Sequence, residues 1–224
     1  MLILAIDTSG RVASCSLWED GAERASCVRD SNLDHSRTIL PLCREMLEKE
    51  GLTFRDVDAY AAAVGPGSFT GIRIGVAAVK GFALAGDKPA AGVSTLEAAA
   101  ALVEGDGLIA SVIRAREDEY YYAFFRRENG ELYRFCDDGV LLGRELRALL
   151  MGAQWRLCGD GAADFLAKHP SDNAVLTDVV QSAKGVAACA WELSRYDGLV
   201  SGGDVVPVYL KKTQAERMRE EKNK

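Results

Sequence analysis

Between Gly71 and Ala85 the chain carries two charges, Arg73 and Lys80, and this stretch constrains the fold more than any other. At 3.6 residues per turn, charges seven positions apart share one narrow stripe of a helix. The remainder is apolar or glycine, with Ile72, Ile74, Val76, Ala77, Ala78, Val79, Phe82 and Leu84 among them. A helix on the surface of a small lobe ordinarily has a wide polar face. The spacing therefore predicts a helix over 70–85 that is covered on nearly all sides. Its own sheet covers one side. Either another chain covers much of the rest, or the helix is a core element between two lobes. The stretch His35–Lys49 has a related excess, with Ile39, Leu40, Leu42, Cys43, Met46 and Leu47 spread over more than one face. Exposed apolar surface of that extent marks interfaces. If the helices are an interface, the expected contacts are Ile39, Leu42, Cys43 and Met46 on the first and Ile72, Val76, Val79, Phe82 and Ala83 on the second. A charge at Val76 or Val79 then abolishes pairing and leaves the fold intact.

Around these helices one pattern of elements occurs twice. Leu2–Asp7 reads as a buried strand, Val12–Trp18 as its hairpin partner and Ala22–Arg29 as a third strand after an Asp20-Gly21 turn. The helix His35–Lys49, a strand Val57–Val64, the 70–85 helix, a strand Pro89–Val93 and a helix up to Val103 follow. Ser94-Thr95-Leu96-Glu97 has the form of a capping box, in which hydroxyl and carboxylate each satisfy a free backbone N–H. Glu104-Gly105-Asp106-Gly107 marks a lobe boundary. Strands Leu108–Ala115, Glu119–Arg126 and Glu131–Cys136 then restart the pattern. Helices Gly143–Met151, Ala162–Lys168 and Ser182–Tyr196 complete it, with strands at Gln154–Cys158 and Val175. The expectation is an α/β fold of two lobes, residues 1–103 and 104–210, with the charged stretch Lys211–Lys224 as a helix folded back on the first.

Composition narrows the function. With 27 basic and 33 acidic residues among 224, the net charge is −6, which argues against a chain that binds nucleic acid by itself. Apolar residues at 48% and charged residues at 27% exclude a disordered, collagen-like or coiled-coil chain. The six cysteines form no C-x-x-C pair and read as reduced thiols of a cytoplasmic protein. The start, MLILAIDTSG, lacks the form of a signal peptide, and no apolar run reaches the ~18 residues of a membrane span.

The residues that carry chemistry are few. His35 and His169 form no H-x-x-x-H pair, since Ile39 stands where a second ligand would be, and no metal site is expected. No residue is assigned as catalytic, and Ser68 lacks a nucleophile elbow. Asp7, Thr8 and Ser9 end the first strand. They either hold a magnesium–phosphate group or cap a hairpin turn. The loop GPGSFTG (65–71), with Gly67 and Ser68, is either an anion nest at a helix start or a tight capped turn. Gly159 and Gly161 flank Asp160 after a strand and read as a plain turn or a ligand contact between lobes. The run Tyr120-Tyr121-Tyr122 with Phe124-Phe125 is read as sheet packing.

AIDTS (5–9), HSRTILP (35–41), VGPGSFTGIRIGVAAVKGFA (64–83), GVSTLEA (92–98) and VPVYLKKTQAE (206–216) together resemble the TsaB (YeaZ) family, a subunit of the machinery that makes threonylcarbamoyladenosine in tRNA. The resemblance is dense over the first hundred residues and continues by landmarks. It implies two ribonuclease-H-like lobes of the actin-like ATPase (ASKHA) architecture. It also implies a non-catalytic role: pairing with TsaD through the two helices, support of the ATPase TsaE, a homodimer in isolation, and contact with tRNA only through the complex. The metal-holding H-x-x-x-H helix of TsaD is reduced here to His35 and Ile39. The family implies no required cofactor, with ATP or ADP as an optional ligand at Asp7, Thr8, Ser9, Gly67, Ser68, Gly159 and Gly161. One departure stands at Arg114-Ala115-Arg116, where many relatives carry Asp-Ala-Arg. The competing expectation is an actin-like-fold ATPase or small-molecule kinase with a nucleotide between the lobes. A peptidase fails on the histidine count.

Overall fold

The computed structural model describes residues 1–30 and 34–211. The first lobe is built from β1 (Leu2–Asp7), β2 (Val12–Glu19), β3 (Ala22–Asp30), α1 (His35–Lys49), β4 (Ala59–Gly65), α2 (Phe69–Gly86), β5 (Pro89–Ser94) and α3 (Thr95–Ala101). Asp20 and Gly21 join β2 to β3 with φ of 48° and 88°, the conformation whose twist suits a two-residue hairpin. The second lobe holds β6 (Gly107–Arg116), β7 (Glu119–Glu128), β8 (Glu131–Arg134), β9 (Gly139–Leu142), α4 (Gly143–Leu149), β10 (Trp155–Cys158), α5 (Ala162–Lys168) and β11 (Ala174–Leu176). α6 (Ala183–Ser194) and β12 (Val200–Ser201) follow.

The duplication expected from the pattern is present in the topology. The first sheet runs β12-β5-β4-β1-β2-β3, the second β11-β10-β6-β7-β8 with β9 added beside β7. In each, three antiparallel strands are followed by two parallel ones on the other side of the first: β1 pairs parallel with β4 as β6 pairs parallel with β10. β9 was not expected; its half-buried GVLL is too short to have a readable period.

Both faces of the first sheet are covered, so β1 is apolar without alternation. Leu4, Ile6, Tyr60, Ala62 and Val64 meet α1 and α2 on one face. Ile3, Ala5, Ala59, Ala61 and Ala63 meet α6 on the other, and the small side chains of β4 let that helix approach. α3 lies between the sheets, packing Leu96, Ala99 and Ala100 against Ile109, Ile113 and Phe125. α4 and α5 cover the far face of the second sheet through Leu146, Leu150 and Phe165. The aromatic run of β7 is sheet packing: Tyr120 and Phe125 are buried, and Tyr122 and Phe124 pack together.

Two boundaries move. α6 and β12 lie after the second lobe in the chain but pack on the first sheet, so the unit expected over 104–210 ends before Ala183. Residues 202–208 also return, with Val205 in the first-lobe core and the Val208 N–H donating to the Val64 carbonyl at 2.8 Å. The helix expected over Lys211–Lys224 lies, from residue 212 on, outside the described residues. The box at Ser94 is half made. Ser94 Oγ accepts the Glu97 N–H at 3.3 Å, but the Glu97 carboxylate pairs with Arg134 at 2.9 Å instead of turning back.

Candidate functional site

The loops singled out in the sequence meet at the seam between the lobes and close on each other. Asp7, Thr8 and Ser9 are 3%, 1% and 3% exposed. The Asp7 carboxylate accepts the Ser9 N–H at 2.8 Å, and the Thr8 hydroxyl donates to the Gly71 carbonyl at 2.7 Å. The Ser68 N–H donates to the Ser9 carbonyl at 2.7 Å, and Ser68 Oγ accepts the Gly71 N–H at 3.2 Å as an N-cap. Gly67, at φ 157°, sits where a β-carbon would stand 2.6 Å from the Ser9 carbonyl oxygen. The glycines of GPGSFTG therefore let the α2 start approach the β1 backbone. The loop is a tight capped turn, and two of its N–H groups are already engaged. Gly159 and Gly161 serve the same purpose opposite Val112 and Arg114 of β6.

Asp160 stands at the rim and faces Gly10, with its N–H donating to Gln181 at 3.1 Å. Burial holds the Asp7 carboxyl above the ordinary aspartate value against the hydrogen bonds from Ser9, and the nearby Asp160 adds to the rise. Burial pushes Asp160 up as well. The two carboxyls thus lie at the seam beside a loop whose hydrogen bonds close it on β1. His35 Nε2 lies 3.0 Å from the Gly10 carbonyl, and Ile39, one turn on, is a core residue. Among the described residues no three His, Cys, Asp or Glu side chains come together as a metal site. Arg114 stands near the seam; its backbone N–H reaches the Asp160 carboxylate and its guanidinium lies 3.8 Å from Asp164.

The interface residues expected from the sequence are placed differently. Ile39, Leu42, Cys43, Met46, Ile72, Val76, Val79 and Ala83 are each no more than 3% exposed and form the core between α1, α2 and the first sheet. Phe82 is half-buried against Phe54 and Tyr60. These nine are therefore support for the helices and not their outer surface, and a charge at Val76 or Val79 would strike the fold itself. The outward stripe of α2 is Thr70, Arg73, Ala77, Gly81 and Leu84; that of α1 includes Arg37, Leu40, Pro41 and Arg44. The signal that finds it was present: Arg73, the charge most open to water, sets the outward phase, and steps of three or four from it reach Ala77, Gly81 and Leu84. α2 has the 18-residue length and apolar composition of a membrane span, yet one side of it is core.

The comparisons with known proteins follow the same lines. A family model described as TsaD, tRNA N6-adenosine threonylcarbamoyltransferase, matches residues 29–188. The tRNA threonylcarbamoyladenosine biosynthesis protein TsaB of Escherichia coli K12 is 30% identical, over 96% of each chain. The crystallised YeaZ of Pseudomonas aeruginosa superposes with a TM-score of 0.83 at 28% identity, covering 93% of this chain and 99% of that one. The ethanolamine utilization protein EutJ of Carboxydothermus hydrogenoformans, at 12% identity over 84% of this chain and 90% of its own, shares the fold with a TM-score of 0.50. With the paired sheets, the closed seam and these likenesses together, the chain belongs to the TsaB (YeaZ) family of tRNA threonylcarbamoyladenosine biosynthesis proteins, on the two-lobed actin-like fold.

Proposed function

We propose that this chain is a non-catalytic subunit that docks a TsaD-like chain through the outward faces of α1 and α2. The observation that carries the reading is the outer face of α2. Leu84 is 62% exposed and Leu40 of neighbouring α1 is 48% exposed. On the same outward stripe Ala77 and Gly81 keep the surface low, and among the described residues nothing beyond the helix's own backbone lies within 4 Å of a β-carbon built at Gly81. The fold has no use for a glycine there, whereas an approaching helix does. The family model matching this chain spans both helices, so a TsaD-like partner carries counterparts of them. Two chains of one fold can then pair about an approximate twofold axis, and a second copy can take the same place in isolation.

The seam supports a subunit that works by docking. It needs no nucleotide or metal of its own in this reading, and threonylcarbamoyl transfer falls to the partner. Support of TsaE and contact with tRNA follow from the assembled pair in the cytoplasm. The test is co-purification with the TsaD-like chain, followed by a tRNA modification assay with and without this chain. Wild type should pair and restore modification, Ala77→Glu should do neither, and the chain alone should turn over essentially no ATP. Full modification by the TsaD-like chain and TsaE in the absence of this chain would refute the reading.

A further inference from the structure

We propose that Arg73 is the electrostatic anchor of the docking face, preset to receive a carboxylate from the partner chain. This rests on the docking reading above and adds a specificity residue to it. Arg73 lies on the outward stripe of α2, one turn before Ala77. Its guanidinium stands 3.8 Å from the Phe69 ring centroid and 5.5 Å from that of Tyr209. Its Nε donates to the Tyr209 hydroxyl at 2.7 Å, and the two rings pack 4.7 Å apart. Tyr209 is brought there by the returning segment, which runs along α2 from Gly202 beside Ala83 to Val208 beside Gly65. Two stretches of chain far apart in sequence thus fix one side chain. The rotamer freedom that an arginine ordinarily loses on binding is already restricted here.

Neither Nη group bonds an acceptor among the described residues, while Nε is engaged. Arg73 is also the one charge on a stripe otherwise made of Thr70, Ala77, Gly81 and Leu84. A partner seated on Ala77 and Gly81 takes water away from that guanidinium. A desolvated cation without a counter-charge is strongly unfavourable, so the partner must bring an acid to it. The free edge of the planar fork matches the two oxygens of a carboxylate. The surface therefore fits an Asp or Glu side chain on the facing helix of the TsaD-like chain, and rejects an apolar surface lacking one.

The experiment is calorimetric titration of the TsaD-like chain into this one at low and high salt. Arg73→Gln should weaken pairing about thirtyfold or more and flatten the salt dependence. Tyr209→Phe, which keeps the charge and removes the Nε bond, should weaken it about two- to tenfold. Arg73→Gln binding with wild-type affinity and salt dependence would overturn the anchor. So would a loss confined to self-association, since the acid would then belong to a second copy. Ala77→Glu separates the two claims. If it binds like wild type, the docking reading itself fails; if it does not bind while Arg73→Gln binds as tightly as wild type, the anchor alone fails. Denaturation curves of each variant confirm that the comparison is between folded chains.

Discussion

Three glycines of α2 make one graded experiment. A β-carbon at Gly71 would stand 2.0 Å from the Thr8 carbonyl oxygen, one at Gly75 would stand 2.6 Å from the Thr8 hydroxyl, and one at Gly81 would meet nothing within 4 Å among the described residues beyond the helix's own backbone. Thr8 is 1% exposed and its hydroxyl holds the Gly71 carbonyl at 2.7 Å, so it has no free rotamer to move into. Gly71→Ala sets side chain against backbone and should cost about 3 kcal/mol or more. Gly75→Ala adds an overpacking cost of about 1–3 kcal/mol to a lost buried hydrogen bond of about 1 kcal/mol, against a helix-propensity gain of about 1 kcal/mol. The net loss should be about 1–3 kcal/mol. Gly81→Ala keeps the propensity gain alone, about 1 kcal/mol, or roughly 2–4 °C in Tm for a chain of this size. Urea denaturation of the three variants reads these values. In the same samples Gly81→Ala should weaken pairing with the TsaD-like chain, because on the proposed docking the added methyl stands where the partner helix approaches. Gly71→Ala as stable as wild type, or Gly81→Ala as damaged as Gly75→Ala, would refute the assignment of an inner and an outer side to this helix.

Other outcomes follow from the packing of the two lobes. The folded-state pKa of Asp7 is raised, chiefly by burial, so the folded chain holds that proton more tightly than the unfolded one. The contribution is complete below the unfolded value and is lost as pH rises through the folded one. Asp7→Asn, which keeps an acceptor for the Ser9 N–H, should be more stable than wild type at neutral pH and should flatten stability across the acid range in denaturation curves. Arg127 of β7 binds the carbonyls of Ala101 and Val103 at 2.8 Å each and so closes the end of α3 across the lobe boundary. Arg127→Ala should cost about 1–3 kcal/mol in urea, with Arg127→Lys recovering only part. Val76→Glu buries a charge in the first-lobe core and should lower the denaturation midpoint sharply; an unchanged midpoint would place Val76 on the surface after all.

The topology was legible because β1 and β6 are apolar runs that begin equivalent series of elements, and because turns such as Asn129-Gly130, at φ 54° and 85°, are local chemistry. The lobe that α6 joins is not legible in the sequence, because its Ala- and Gly-rich face fits any close-packed sheet and only the long-range contact with Ala59, Ala61 and Ala63 decides which. The paired helices were found as the unusual feature, but their inner and outer faces were exchanged. Large apolar residues such as Ile72 and Val76 drew the assignment, although large residues are what a core takes. The outer face includes Ala77 and Gly81, small residues that give no apolar signal of their own. The loops at Asp7 and Ser68 left two readings, since a turn closing on itself and a turn holding an anion use the same residues until the hydrogen bonds are placed.

The central claim is that the outward side of α2 is the surface a TsaD-like chain covers. Maleimide labelling of Ala77→Cys, with the native thiols as an internal reference, tests it directly. The account predicts rapid labelling of residue 77 in the free chain and strong protection once the TsaD-like chain is bound. Equal labelling with and without a demonstrably bound partner would contradict it.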